Sequence, residues 1–231
     1  MNDNAQKYRH ELKYLISAAQ IPVLKTRIAA VMKPDPHAGE DGSYTIRSLY
    51  FDDYCNRCYH ENVNGTDPRE KFRIRIYNGS YSRISLECKR KERGKTHKTS
   101  CRLSLDQAQA LMLGRIPENL DSPLLRKLML DIRMRGMHPA VIVEYDRIPY
   151  VFRNGNVRVT FDMNISSAAD CDRFFDRALP RRPVMPAGQH LLEVKFDEYL
   201  PDHIYRSLNL AQLQQTAFSK YALSRKYTLI K

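Results

Sequence analysis

The side chains in this chain best suited to chemistry recur at every second position. Lys71, Arg73 and Arg75 alternate with Phe72, Ile74 and Ile76, and Glu87, Lys89 and Lys91 follow at the same spacing. Lys98, Ser100 and Arg102 alternate with Thr99, Cys101 and Leu103, and Arg158, Thr160 and Asp162 with Val157, Val159 and Phe161. Glu193 and Lys195 lie between Leu192, Val194 and Phe196, and Arg9, Glu11 and Lys13 open the series. Successive side chains of a β-strand point to opposite faces, so each run carries acids and bases on one face. An ordinary sheet with one wet face would draw freely on Thr, Ser, Gln and Asn. Surface ion pairs add little stability. Repetition over so many strands argues that the charged faces line a closed, water-filled barrel.

Such a lining suits a linear phosphate chain, which presents oxygens in all directions. Arginine supplies planar forks for these oxygens and lysine supplies point charges. The glutamates would repel phosphate directly. A divalent cation between carboxylate and phosphate resolves that repulsion.

The elements that must carry these residues follow from the pattern. Strands are expected over about 8–16, 44–52, 70–77, 84–91, 97–103, 140–148, 157–162 and 190–197, rich in β-branched and aromatic residues. Helices are expected from Ser17 to Met32, from Ser104 to Gly114 and from Ser122 to Gly136. Two more should begin at Pro201 and cover about Gln212 to Lys226. Ser17 with Gln20 and Ser104 with Gln107 have capping-box spacing, and Pro123 suits a first helical turn. The expected fold is α+β, an eight-stranded antiparallel barrel decorated by helices, in a single domain over residues 1–231.

Composition agrees with that chemistry. There are 38 Lys plus Arg against 26 Asp plus Glu, a net charge of +12, which predicts a polyanionic partner. No run approaches the length of a membrane span, and the first ten residues lack the apolar core of an export signal. The five cysteines, an odd number without an export signal, read as reduced thiols in a cytoplasmic protein. Cys55 and Cys58 form one C-x-x-C, and without a second pair at zinc-ligand spacing it reads as structural.

The residues also carry a resemblance. Arg9-x-Glu11-x-Lys13-Tyr14, Arg47-Ser48-Leu49-Tyr50-Phe51-Asp52, Lys71-Phe72-Arg73-Ile74-Arg75-x-Tyr77 and Leu86-Glu87-Cys88-Lys89-Arg90-Lys91 occur in that order. Glu144-Tyr145-x-Arg147, Val157-Arg158-Val159-Thr160-x-Asp162, Leu192-Glu193-Val194-Lys195-Phe196 and Ser219-Lys220-Tyr221 complete the series. Over about residues 7–227 the chain resembles the VTC domain, the polyphosphate polymerase domain of the triphosphate tunnel metalloenzyme superfamily.

The resemblance implies a tunnel of eight antiparallel strands that moves the terminal phosphate of ATP onto a polyphosphate chain with Mn²⁺ or Mg²⁺. It implies that Lys13, Arg73, Arg75, Lys89, Lys98, Arg158, Lys195 and Lys220 line the tunnel and hold phosphates; Lys91, Arg102 and Arg147 complete the candidate set. Glu193 is the implied principal metal ligand, with Glu11, Glu87 and Glu144 as further ligands or as partners of the cations. Arg158, Lys220 and Glu193 are the candidates for the catalytic step, and Lys220 is expected at a tunnel mouth. No protein nucleophile is required, because the acceptor is a terminal phosphate oxygen. Hydrolytic and cyclase members open with E-x-E-x-K. Arg9 replaces the first acid here, which favours the polyphosphate-handling branch and weakens a two-metal hydrolase.

Two other readings compete. Water as acceptor would make the same tunnel a triphosphate or polyphosphate phosphohydrolase. A non-catalytic polyphosphate or RNA binder would use the charge nonspecifically. An RNA binder needs stacking aromatics on an open sheet face, whereas Tyr14, Tyr50, Tyr77 and Tyr145 lie in or beside strands and read as core; nucleic acid is the least favoured partner.

Overall fold

The computed structural model describes residues 8–229. Eight long strands carry the fold: β1 (His10–Ser17), β3 (Tyr44–Asp52), β4 (Arg69–Tyr77), β5 (Ser80–Glu92), β6 (Lys95–Leu103), β7 (His138–Phe152), β8 (Val157–Ala168) and β10 (Gln189–Phe196). Two-residue strands β2 (Lys33–Pro34) and β9 (Arg182–Pro183) pair onto β7 and β8. The long strands form one antiparallel sheet in the order β1-β10-β8-β7-β3-β4-β5-β6. The sheet curls until its two ends meet, where Arg9 and Thr96 exchange backbone hydrogen bonds of 2.9 and 3.0 Å. Each expected strand is present, several of them longer than the alternation predicted.

The alternation explains why the sheet curls this way. The apolar faces look outward and are covered by helices α1 (Gln20–Ala29), α3 (Leu105–Met112), α4 (Pro123–Arg135) and α5 (Asp202–Ser207). Ile74 and Leu86 pack with Leu111, Leu125 and Leu128 in one outer core, and Val159 and Val194 with Ile28 and Ile204 in another; all nine of these side chains are essentially inaccessible. The charged faces are left to enclose the barrel interior. At one end that interior turns apolar, where Tyr50, Val141, Val143 and Leu191 pack against Tyr221 of α6 (Lys220–Leu229).

Local chemistry sets the element ends. Ser104 caps α3 in a full capping box with Gln107, and Ser122 caps α4 with Pro123 in its first turn. Asn78-Gly79 and Arg93-Gly94 make the β4–β5 and β5–β6 hairpins, all four residues at positive φ, as two-residue turns of matching twist require. Ser17 does not cap α1: it ends β1, Gln20 only reaches back to its N–H at 2.8 Å, and the helix starts at Gln20 behind Ala19. Residues 213–217, expected to be helical, run instead along the free edge of β1. Leu15 N–H donates to Gln214 O and Thr216 N–H to Lys13 O.

Helix α2 (Arg57–Val63) was not foreseen, because its cap comes from a distance. The fully buried carboxylate of Asp52, six residues upstream, accepts from Cys58 N–H at 2.8 Å and Tyr59 N–H at 3.2 Å. The same carboxylate accepts the hydroxyl of Tyr221, and Arg225 donates to Asn56. One acid thus ties the start of α2 to the start of α6. Asp52→Ala is expected to strand these donors and to cost roughly 2–4 kcal/mol in denaturant unfolding, whereas Asp52→Asn, which keeps an acceptor oxygen, should lose clearly less.

Candidate functional site: a cation-lined tunnel

The inward faces converge on a narrow central cavity of about 90 Å³. Its cations are Lys13 from β1, Lys71, Arg73 and Arg75 from β4, Lys89 from β5, Arg147 from β7, Lys195 from β10 and Lys220 from the first turn of α6. Glu11, Glu193, Tyr50, Tyr145, Ser219 and Tyr221 share the lining. So five strands and one helix deliver eight cations to one space.

Four carboxylates neutralise part of this charge. Glu193 accepts from Lys220 at 2.7 Å through one oxygen, and from Lys195 at 2.7 Å and Arg147 at 3.4 Å through the other. Asp162, with no exposed surface, takes a two-pronged contact from Arg147 at 2.6 and 2.7 Å and pairs with Lys220 at 2.6 Å. Glu11 pairs with Lys89 at 2.6 Å and Lys13 at 3.5 Å. Glu87 holds Arg73 at 2.6 Å, Lys98 at 2.9 Å and Arg75 at 3.7 Å. Eight cations less four acids leaves a surplus of four, on the scale of the charge of a triphosphate.

Proton affinities follow from this crowding. Burial alone would raise the Glu193 carboxyl, but Lys195, Lys220, Lys13 and Arg147 outweigh it and hold it well below the usual carboxylate range. Glu11 is lowered well in the same way, by Lys89, Lys13 and Lys195 against its burial. Burial pulls Lys195 down to about 8 even though Glu193 and Glu11 favour its charge. Burial also lowers Lys220, yet Asp162 and Glu193 prevail and raise it above the ordinary lysine value. Lys71 is the opposite case. Burial together with Lys89, Lys13 and Arg69 lowers it well below that value, and among the described residues no carboxylate pairs with it.

The cavity opens at one end into a larger vestibule of about 510 Å³ that shares Glu11, Lys13, Lys71, Lys89 and Ser219 and adds Arg69 and Lys91. A second mouth of about 550 Å³, lined by Asp35, Tyr44, Tyr77, Lys98 and Arg158 among others, lies where β3 and β8 begin and β4 ends.

The candidate residues therefore separate. Lys13, Arg73, Arg75, Lys89, Arg147, Lys195, Lys220, Glu11 and Glu193 share the central cavity. Lys91 belongs to the vestibule, and Lys98 and Arg158 to the second mouth. Arg102 is exposed and donates to Ser82 O at 2.7 Å, away from the cavity. Lys220 is at neither mouth: it is only 8% exposed and lies in the centre, 4.8 Å above the Tyr145 ring. Glu144 is on the wrong face. It shares the outward parity of Ile142 and pairs with Arg47 and Arg181 outside the barrel, so it can hold no ion in the tunnel. Arg9 turns to Asp197 and Asn156 at the rim and adds no charge to the cavity. Lys71 and Asp162 lay on charged faces visible in the sequence, but only the fold shows that they meet the others. Tyr50 and Tyr145 accept hydrogen bonds from Arg73 and Arg75 and orient them, which no sequence signal revealed.

No three His, Cys, Asp or Glu side chains converge to hold a metal among the described residues. Magnesium-like ions are commonly held by one or two carboxylates plus substrate phosphates. Glu193 and Glu11, both facing the cavity, fit an ion that arrives with a phosphate. Glu87, 3% exposed and tied to three cations, does not.

The same architecture occurs in a Hippeastrum protein described as a candidate adenylyl cyclase, HpAC1, with a dominant triphosphatase activity. The TM-score is 0.54 at 13% identity over 96% of both chains. A candidate adenylate cyclase from Bacillus halodurans gives 0.49 at 15% identity over 88% of both chains. The Mimivirus capping enzyme triphosphatase gives 0.41 at 10% identity, over 90% of this chain and 88% of its own. At such identities the likeness is one of fold. No curated protein matches the chain in sequence. The profile of the VTC domain, however, matches residues 8–229, which span all eight walls and the α6 lysine. A match of that extent, over a barrel whose charged faces turn inward, makes this chain a member of the VTC domain family.

Proposed function

We propose that the chain is a polyphosphate polymerase-type phosphotransferase that moves the terminal phosphate of ATP onto a polyphosphate chain with Mn²⁺ or Mg²⁺. The observation that carries this reading is the convergence of eight cations on one cavity with only half their charge neutralised. Phosphoryl transfer needs in-line positioning and charge compensation more than covalent help from the protein.

Arg73, Arg75 and Arg147 present guanidinium forks, two of them braced by tyrosine hydroxyls and one by Asp162, so their geometry is set before substrate arrives. Lys220 sits between Asp162 and Glu193 and reaches into the cavity from a helix rather than a wall. On entry of the phosphates, these cations exchange a carboxylate oxygen for a phosphate oxygen, so the cavity need not be dry or empty beforehand. Glu193 and Glu11 would hold the divalent ion, which when bound neutralises charge on the donor phosphates. The acceptor oxygen belongs to the chain end, so no side chain acts as nucleophile. Arg158 lines the second mouth rather than the central cavity, from which it would hold the donor's other end.

Hydrolysis is the second reading, favoured by the triphosphatase activity of the Hippeastrum protein that shares this fold. The vestibule supports the polymerase instead: Lys13, Arg69, Lys71, Lys89 and Lys91 continue the cationic lining beyond the space that one triphosphate needs. The barrel also disfavours a nucleic-acid interface, since Tyr14, Tyr50 and Tyr145 are buried rather than presented for stacking.

With ATP and Mn²⁺ or Mg²⁺, the purified protein is expected to make long polyphosphate, seen on a gel. Orthophosphate released without chain growth would assign it as a hydrolase.

Lys71 separates function from stability. Folding must bury a lysine without a carboxylate, so Lys71→Met should melt at or above the wild-type temperature while losing about tenfold or more in rate, about 1.4 kcal/mol of barrier. The folded protein binds fewer protons at Lys71 than the unfolded chain does between its lowered value and the ordinary ~10.4. The stability gained by Lys71→Met should therefore be fully present below that lowered value and fade as pH rises from it towards the upper limit. Lys226→Met, on the exposed flank of α6, should alter neither property.

Glu193→Gln is expected to abolish turnover, and it should also destabilise the free protein, because Lys195, Lys220 and Arg147 lose a shared counter-charge; breaking such buried pairs costs roughly 3–5 kcal/mol. Tripolyphosphate should raise its melting temperature more than that of the wild type. A variant that melts normally without ligand would show that the carboxylate is not needed to balance the cavity.

A further inference from the structure

Five side chains line both the central cavity and the vestibule: Glu11, Lys13, Lys71, Lys89 and Ser219. They stand at the joint of the two spaces, where an acceptor chain lying in the vestibule would bring its reacting end. Four of the five are committed to other groups. Glu11 pairs with Lys89 at 2.6 Å and with Lys13 at 3.5 Å, and Lys13 also donates to Phe218 O at 2.7 Å. Ser219 Oγ accepts from Ala222 N–H at 3.3 Å, in the first turn of α6. Lys71 is the exception: among the described residues it has no carboxylate partner, and its Nζ lies 3.5 Å from Ser219 Oγ and 5.5 Å from the centre of the Tyr221 ring.

An ammonium has no lone pair to offer, whereas an amine does. Burial and adjacent cations are the two devices that make a lysine nucleophilic. Both act on Lys71. Lys89 on β5, Lys13 on β1 and Arg69 on its own strand join burial in favouring the amine, and the Cys58 thiol on α2 opposes them. Lys89 is also its cross-strand partner, and Arg73 follows two residues along the same face. Both line the cavity, placed to hold the oxygens of a phosphoryl group that Lys71 received. Elongation needs no such nucleophile, because a chain end supplies the attacking oxygen. The first round of synthesis has no chain end.

We propose that Lys71 is a self-modification site that primes synthesis: when the vestibule holds no polyphosphate, its Nζ takes the first phosphoryl group and the chain grows on it. The Nζ lone pair forms an N–P bond to the terminal phosphorus of ATP. The bond from that phosphorus to its bridging oxygen breaks, the electron pair leaves on ADP, and the nitrogen sheds one proton to water in the vestibule. A terminal oxygen of the resulting phosphoramidate is the acceptor for the next donor. Water that later cleaves the N–P bond releases the chain and returns the amine. The assignment rests on the polymerase reading above and adds to it how a chain begins.

The wild-type protein, given Mn²⁺ and ATP radiolabelled at its terminal phosphate but no polyphosphate, tests it. Label should become covalent, survive denaturation and base, and be lost in mild acid, as a phosphoramidate is. Mass spectrometry of an alkaline digest should place it on Lys71, in steps of one phosphoryl group. Lys71→Arg keeps the cation and removes the nucleophile. It should carry no label, and its synthesis from ATP alone should fall about tenfold or more beyond any fall in its elongation of added tripolyphosphate. Polymer made by the wild type without covalent label would overturn the priming role and leave the polymerase standing. So would acid-stable label on Ser219, label on any other residue, or equal falls of starting and elongation in Lys71→Arg. If the wild type makes no polymer with or without tripolyphosphate, the polymerase reading falls and this assignment with it.

Discussion

Eight cations lining one cavity of about 90 Å³ repel one another, and the remainder of the structure answers to that constraint. Each buried charge costs several kcal/mol unless it is paired or solvated. Asp162, Glu193, Glu11 and Glu87 satisfy some of it, but a fully neutral lattice would leave nothing to attract an anion. The residue of unmet charge is concentrated on Lys71, which is driven towards its neutral form, while burial pulls Lys195 down to about 8 despite its pairing with Glu193. The barrel is thus stable enough to fold yet better balanced when a polyanion is inside. Electrostatic preorganisation of this kind places donors before charge develops on the substrate.

That interior leaves hydrophobic burial to other surfaces. A sheet that spends one face on charge must bury the other, so helices α1, α3, α4 and α5 lie on the outside, where Phe, Ile, Leu and Val of every second position meet them. The apolar end of the interior solves a different problem. Lys220 has to enter from outside the walls, and a lone lysine on a fraying helix end would not hold its place between Asp162 and Glu193. Tyr221, packed on Tyr50, Val141 and Leu191 and bonded to Asp52, anchors the helix one residue away. A fold element and a site element are adjacent in sequence because one must locate the other.

Alternation made most of this legible beforehand. Period two is a property of strands, so the faces of Lys71–Arg75, Glu87–Lys91 and Glu193–Lys195 could be read without coordinates, and those faces do turn inward together, with Lys91 reaching only the vestibule. Glu144 shows the cost of departing from that rule. In Glu144-Tyr145-x-Arg147, only Tyr145 and Arg147 share a face, and grouping the acid with them by motif set it against the parity that had worked elsewhere. Lys98 and Arg158 have the right parity but the wrong depth. Depth depends on the stagger between strands, which puts Lys98 opposite Lys89, and Arg158 opposite Lys195, while their side chains open to a different cavity. Helix α2 and the burial of Lys220 were beyond reach for another reason: both depend on Asp52, whose partners lie 6, 7 and 169 residues away.

The two mouths turn a list of cations into a direction. A uniform basic tube would bind a phosphate chain in either sense and at any register, and the reacting groups would rarely align. Here the lining changes along the axis, from cations that outnumber Glu11 five to one at the vestibule, through braced arginines at the centre, to tyrosines and cations paired with Glu87 and Asp35 at the far end. A phosphate chain meets that gradient differently at its two ends, with surplus cations at the vestibule and Asp35 at the second mouth. Positioning, which phosphoryl transfer requires above all, is then a consequence of how cations and acids are balanced along the walls rather than of any single residue.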